Sequence, residues 1–188
     1  MIYRRKRQKK NNVAVPVFII AIMVLSVLGY SLLQGRDSNV RKYGEWKFVN
    51  VADKYWRATS NDIETVFYFT PEEVADIPCE SIAAFPYFVY LTSNPNASYS
   101  QQELMTIDLA KFELKNTLLF LGYEPQMAFS NAITCANSTS TTGVVDIDIS
   151  NETAVKVYGS CVKIEGLNSI EVVRARDKFL MLILGILE

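Results

Sequence analysis

Val144-Val145-Asp146-Ile147-Asp148-Ile149-Ser150-Asn151-Glu152-Thr153-Ala154-Val155-Lys156-Val157-Tyr158-Gly159-Ser160-Cys161-Val162-Lys163-Ile164-Glu165-Gly166 is the stretch on which the fold turns. Val145, Ile147 and Ile149 alternate with Asp146 and Asp148, the period of a strand with one dry and one wet side. Ser150-Asn151-Glu152 reads as a turn, after which Val155 and Val157 carry the same pattern back. The apolar frame then slips from odd to even positions at Val162 and Ile164, and a bulge at Gly159-Ser160 is the expected cause. Gly166 closes the strand. The pattern predicts antiparallel hairpins with one solvated face.

Working outward, Ser100-Gln101-Gln102-Glu103 is a capping box that opens the clearest helix. Its stripe runs Leu104, Ile107, Leu114, Leu118, Leu121, interrupted by Lys111. Gly122 suits the left-handed position past a helix end, and Pro125 follows. A second helix is expected from Asn168, with Glu171 as box partner, to Leu187. Its last nine residues, from Phe179, are apolar all round and too few to span a bilayer. They therefore need burial, against the domain's own sheet by preference or against another chain. Upstream, Tyr43–Asn50, Lys54–Thr59 and Ile63–Phe69 read as an antiparallel meander with turns at Ala52-Asp53 and Ser60-Asn61-Asp62. Thr70-Pro71-Glu72-Glu73 reads as a short helix start ending near Pro78. Tyr87–Thr92 is a candidate buried strand. The fold class is α+β: a mostly antiparallel sheet packed by two main helices.

Ahead of this domain, Arg4, Arg5, Lys6, Arg7, Lys9 and Lys10 precede an uncharged apolar run from Val13 to Leu33. At a helical rise of ~1.5 Å those residues reach ~31 Å, about one hydrocarbon thickness. The positive-inside rule places residues 1–12 in the cytoplasm as a basic tail, 13–33 across the membrane and 34–42 outside as a stalk. Residues 43–188 then form one extracytoplasmic domain. The run is longer than a signal-peptide core, which favours an uncleaved anchor, although Val27-Leu28-Gly29 offers a passable cleavage site. A pilin-type leader fits worst, because Lys10-Asn11-Asn12-Val13 lacks the small residue and the acid or amide such junctions carry.

Charge and composition narrow the function. The chain has 19 Lys and Arg, 20 Asp and Glu and no His. Six of the cations sit in the tail, so the remainder carries 13 against 20, a net of −7. An acidic outer domain disfavours nucleic acid as a partner. The absence of His removes Ser-His-Asp and Cys-His catalysis and His-based metal sites. No cofactor is implied. Cys79, Cys135 and Cys161 show no CxxC spacing, so neither a redox dithiol nor a thiolate zinc knuckle is indicated. Cys135 and Cys161 flank the expected hairpin and form the preferred disulfide, with pairings through Cys79 left open.

Asp146 and Asp148, with Glu152 or Glu165, offer oxygens to a hard cation, yet alternating acids also describe the wet side of a strand. Glu72, Glu73 and Asp76 could pair for glycoside chemistry, but capping and the helix dipole explain them better. Asn96, Asn137 and Asn151 head Asn-x-Ser/Thr triplets in expected loops and are the candidate glycosylation sites. Trp46, Phe48, Tyr55, Trp56, Tyr68, Phe69, Phe85, Tyr87, Phe88 and Tyr90 either fill a core or form a binding surface, with Trp56 the best exposed anchor.

Tyr43-Gly44-Glu45-Trp46-Lys47-Phe48, Phe67-Tyr68-Phe69-Thr70-Pro71-Glu72-Glu73-Val74, Gly159 to Gly166 and Arg174-Ala175-Arg176-Asp177-Lys178-Phe179, ending in Leu184-Gly185-Ile186, resemble single-span proteins of small-genome archaea of the Woesearchaeota kind. The resemblance implies an archaeal cell-surface setting, where N-glycosylation and disulfides are expected, and carries no activity with it. The expected function is a non-enzymatic binding or assembly role at the cell surface. Its partner would be another protein or a second copy, met through aromatic or C-terminal apolar surface. The alternative is an envelope hydrolase using carboxylates or a metal.

Overall fold

The computed structural model describes residues 39–61, 63–80, 85–94, 97–128 and 133–187. The basic tail, the expected anchor at 13–33, most of the stalk, and Asn96 lie outside the described residues. Among the described residues no helix is long and apolar enough to cross a membrane.

The first sheet is a four-stranded antiparallel meander of β1 (Val40–Tyr43), β2 (Trp46–Val51), β3 (Tyr55–Ser60) and β4 (Ile63–Phe67). Val40–Lys42, read from sequence as the end of a stalk, pair with β2. Alternation works as the sequence indicates: Trp46, Phe48, Trp56, Ala58 and Phe67 are buried on one face. Phe48 and Phe67 stack at 5.4 Å, and Tyr43 meets Phe48 edge-on at 5.0 Å. Trp56 is only 8% exposed, with Arg41 over its ring at 5.1 Å, so it is a core residue and not an exposed anchor. After the meander comes a single 3₁₀ turn (Glu72–Val74) in place of the expected helix. Glu73 still reaches back, accepting from Thr70 N at 2.7 Å and Thr70 Oγ1 at 3.0 Å.

The second sheet has five strands: β5 (Phe88–Thr92), β6 (Glu124–Met127), β7 (Thr142–Ile149), β8 (Ala154–Tyr158) and β9 (Cys161–Gly166), in the spatial order β6-β5-β7-β9-β8. The β5–β6, β5–β7 and β7–β9 pairings are parallel, and only β8–β9 is antiparallel. The expectation of one mostly antiparallel sheet therefore holds for the meander and fails here. Val145 and Ile147 lie beside Val162 and Ile164 of β9, not beside β8, which is pushed to the edge. A strand flanked by parallel neighbours is covered on both faces. Gly143 through Ile147 are accordingly all buried, Asp146 included, so β7 is not the half-solvated strand its alternation suggested.

The frame slip needs no bulge. Gly159-Ser160 is a two-residue turn joining Tyr158 to its partner Cys161, so Val157 faces Val162 and Val155 faces Ile164. Across such a turn opposite residues have unlike parity, and the odd-to-even switch is the arithmetic of the hairpin.

Helix α1 (Gln101–Phe120) connects β5 to β6, and α2 (Ser169–Ile183) follows β9. The Ser100/Glu103 capping box forms in both directions. Asn168 caps α2, its Oδ1 accepting from Ile170 N and Glu171 N, while Glu171 turns to Arg174 instead of closing a box. Both helices end alike. Tyr123 N donates to Leu118 O and Gly122 N to Leu119 O; Ile186 N donates to Met181 O and Gly185 N to Leu182 O. This double-bonded ending needs a left-handed residue, supplied by Gly122 (φ 84°) and Gly185 (φ 67°). The second of these ends α2 at Ile183 and folds Ile186 and Leu187 back onto the core. Residues Ala175–Met181 are buried on all sides, and Ile183, Leu184, Ile186 and Leu187 are half-buried against the same core, so the start of the apolar C-terminal run is covered by its own domain and the rest is partly covered.

A Cys135–Cys161 disulfide, with Cα atoms 5.3 Å apart, ties a 3₁₀ turn (Cys135–Asn137) to the first residue of β9. It closes a loop with sequence separation 26, and loops of that length lose roughly 3 kcal/mol of unfolded-state entropy when cross-linked. Replacing both cysteines by Ala is expected to cost about 2–4 kcal/mol, read as a lower urea midpoint with an unchanged slope. Reductant should bring the wild-type chain to the same midpoint. Cys79 stays reduced and half-buried, and burial pushes its thiol pKa up.

Candidate interaction surface on helix α1

The predicted stripe of α1 lands as expected: Ile107, Leu114 and Leu118, with Ala110, are buried against the sheet, while Leu104 is half-exposed. Lys111, its polar interruption, is buried too and satisfied at the rim by Asp108 (2.8 Å) and Ser93 (3.4 Å). The opposite side of the helix is also apolar. Met105 (68% exposed), Leu109, Phe112 (57%), Leu119 and Phe120 (67%) face solvent, joined by Ile170 of α2 (65%). Sequence reading stopped at the first stripe. The signal for the second was the spacing 105, 109, 112, 119, a repeat of alternating four and three residues.

Beside this face a groove of about 310 Å³ runs between α1 and α2, lined by Tyr68, Phe69, Leu109, Ala110, Glu113 and Ile170. Its floor is ionic. Tyr68 Oη donates to Glu113 Oε1 at 3.0 Å, and Arg176, fully buried, lies 3.0 Å from Glu113 Oε2 and 3.1 Å from Asp177 Oδ1. The guanidinium sits 5.6 Å from the Tyr68 ring centre. None of its nitrogens is aligned for a hydrogen bond, so both contacts are ion pairs without the forked geometry Arg can offer. Asp177 Oδ2 accepts from Tyr68 N at 2.7 Å and Phe69 N at 3.0 Å, which fixes the chain leaving β4 onto α2. Burial pushes the Asp177 carboxyl up to about 6, against the downward pull of Arg176 and the two peptide N–H groups. The sequence gives little hint of this pair, which sits in a run of charges that reads as a wet helix face.

The acids singled out from sequence are drawn apart by different partners. Asp148 accepts from Tyr99 Oη; Glu165 is 2.5 Å from Lys156, which also holds Glu152 at 2.5 Å; Asp146 faces Lys163 at 4.0 Å. Burial raises the Asp146 carboxyl pKa, and its Oδ1 is buried without a partner. Among the described residues no three His, Cys, Asp or Glu side chains gather as a metal ligand set. Glu72 takes the Tyr43 hydroxyl at 2.6 Å, Glu73 caps Thr70, and Asp76 pairs with Arg174 at 2.8 Å, so these three do not converge either. Asn151 is exposed in the β7–β8 turn. Asn137 is exposed as well, with its Oδ1 accepting from Thr134 N at 2.8 Å.

Comparison of the chain with protein-family models, with curated proteins and with solved structures gives no match.

Proposed function

We propose that this chain is a membrane-anchored extracytoplasmic protein with a non-enzymatic binding or assembly role, and that the outer face of α1 is its binding surface. The anchor and topology rest on the basic tail and the uncharged run 13–33. The observation that carries the binding role is the open apolar face. Six large side chains averaging somewhat over half exposed, at about 200 Å² each, leave on the order of 700 Å² uncovered. The largest patch on an ordinary monomer is about 300–600 Å². The surfaces first considered offer less, because Trp56 and Phe179–Met181 are in the core and the apolar residues after Met181 are half-buried against it.

The hydrolase alternative draws on Asp146 Oδ1, buried and unpartnered on a parallel strand. General acid–base work needs a second free group within reach, and Asp148 and Glu165 are committed to Tyr99 and Lys156. The binding role is preferred on that ground.

A photoreactive phenylalanine analogue at position 112, in the full chain in its native membrane, tests the proposal. The expected result is a covalent adduct to a polypeptide that falls at least about tenfold when Leu109→Asp is added, since a buried charge costs more than 1.4 kcal/mol. No polypeptide adduct would remove the binding role. Leu109 is half-exposed, so the variant should keep the wild-type melting temperature within a few degrees.

A further inference from the structure

Resting on that proposal, we infer that the occupant of the α1 face is the α1 face of a second copy of this chain, packed antiparallel. Gln102, Met105, Leu109, Phe112, Asn116 and Leu119 follow one another at alternating steps of three and four residues. That is the a/d seam of a coiled coil over nearly three heptads. Every one of these six seam residues is exposed, and no charge falls within the seam. With Phe120 and the neighbouring Ile170 of α2 included, the uncovered apolar area, on the order of 700 Å², approaches the roughly 800 Å² that each partner gives to a standard stable interface.

Charge decides the orientation. The flanking g positions are Asp108 and Lys115, and Glu113 is an e position. In a parallel pair each Asp108 faces Glu113 of the other copy, two like-charge contacts related by symmetry and softened by Arg176, which lies 3.0 Å from Glu113. In an antiparallel pair stacking Leu109 on Phe112, Met105 on Asn116 and Gln102 on Leu119, each Asp108 faces Lys115 of the other copy, two opposite-charge contacts. Asp108 is exposed and so available, although it also holds Lys111 at 2.8 Å. Asn116 alone favours the parallel arrangement, where it would meet its own copy. One amide pair is outweighed by exchanging two repulsions for two attractions. The pairing is isologous and closes with two chains. Anchoring in one membrane raises the effective concentration of one copy for the other.

Variants of the full chain with one free thiol beside the Cys135–Cys161 disulfide, Met105→Cys and Asn116→Cys, each carrying Cys79→Ser, test this under mild oxidation in the membrane. Co-expressed, the two variants should give a cross-linked dimer, and either variant alone should give little, because like positions lie ~16 Å apart along antiparallel helices. A dimer from either variant alone would overturn the antiparallel pairing. Asp108→Lys should weaken self-association by about tenfold, and adding Lys115→Asp should restore it; a parallel pair would be strengthened by Asp108→Lys. A position-112 photo-adduct to a different polypeptide, with no 105–116 cross-link, would end the self-pairing and leave the binding role standing. The absence of any adduct would end both.

Discussion

Asp177→Ala is expected to lower the unfolding free energy by about 3–5 kcal/mol, the cost of leaving a buried charge without its partner. For a domain of this size that is a fall of roughly 10 °C or more in Tm. The side chain is fully buried on α2 and does two things at once. Oδ1 balances the fully buried Arg176, and Oδ2 takes the peptide N–H groups of Tyr68 and Phe69. Removing it strands one cation, with only Glu113 left to face it, and orphans two backbone donors. The double variant Arg176→Met/Asp177→Leu should lose less than either single change, because the pair's mutual attraction does little more than offset its desolvation. A loss under about 1 kcal/mol for Asp177→Ala would show that the pair does not hold α2 in place.

The same carboxyl has a distinctive pH signature. Its folded pKa, about 6, lies above the ordinary value of 3.8, so between those limits the native state holds more protons than the unfolded one. Stability contributed by this group therefore rises as pH falls from 6 towards 4, and its cost is present in full above 6. Glu103, lowered by the Ser100 N–H bond, acts in the opposite sense, losing stability as pH falls through its folded pKa. Asp177→Asn isolates the first effect. The stability difference, wild type minus variant, should grow as pH is lowered through that window, and a flat or inverted difference would contradict the assignment.

Gly166→Ala is the second large effect. An added Cβ at the end of β9 would sit 2.2 Å from Val172 N and 2.5 Å from Glu171 C, both backbone atoms of the first turns of α2. No rotamer can relieve a clash between backbone atoms, so the helix must move off the strand, carrying Val172 and Ala175 out of the core. A loss at the upper end of overpacking costs, about 3 kcal/mol or more, is expected in urea unfolding. Gly143→Ala is the control: its nearest neighbour is Phe85 Cζ at 3.2 Å, the far end of a side chain, and it should cost markedly less. Equal losses for the two variants would mean that the β9–α2 junction is looser than its geometry.

Much of this was legible in the chain. Turn and cap chemistry acts within four residues, so the meander strands, the Ser100/Glu103 box, the Gly122 stop and the Asn168 cap follow from neighbours in sequence. The Cys135–Cys161 disulfide agrees with the preference for the two cysteines that flank the expected hairpin, and the structure leaves Cys79 as the free thiol. The second sheet was not readable in the same way. Val145-Asp146-Ile147-Asp148-Ile149 alternates whether its neighbour is β8 or β9, parallel or antiparallel, and only the packing of α1 and α2 on the Val145–Ile147 face selects β9. Burial of Arg176 and Asp177 likewise depends on Tyr68, Phe69 and Glu113, which lie 63 or more residues away.

The candidate site divides along the same line. That α1 is apolar at Met105, Leu109, Phe112 and Leu119 as well as at Ile107, Leu114 and Leu118 is written in the chain, because a side chain's chemistry is fixed with its residue. Which of the two stripes the domain covers was decided only by the tertiary structure, since a helix carries no mark of which side meets the sheet. The sheet takes the Ile107–Leu118 side and leaves the other to solvent.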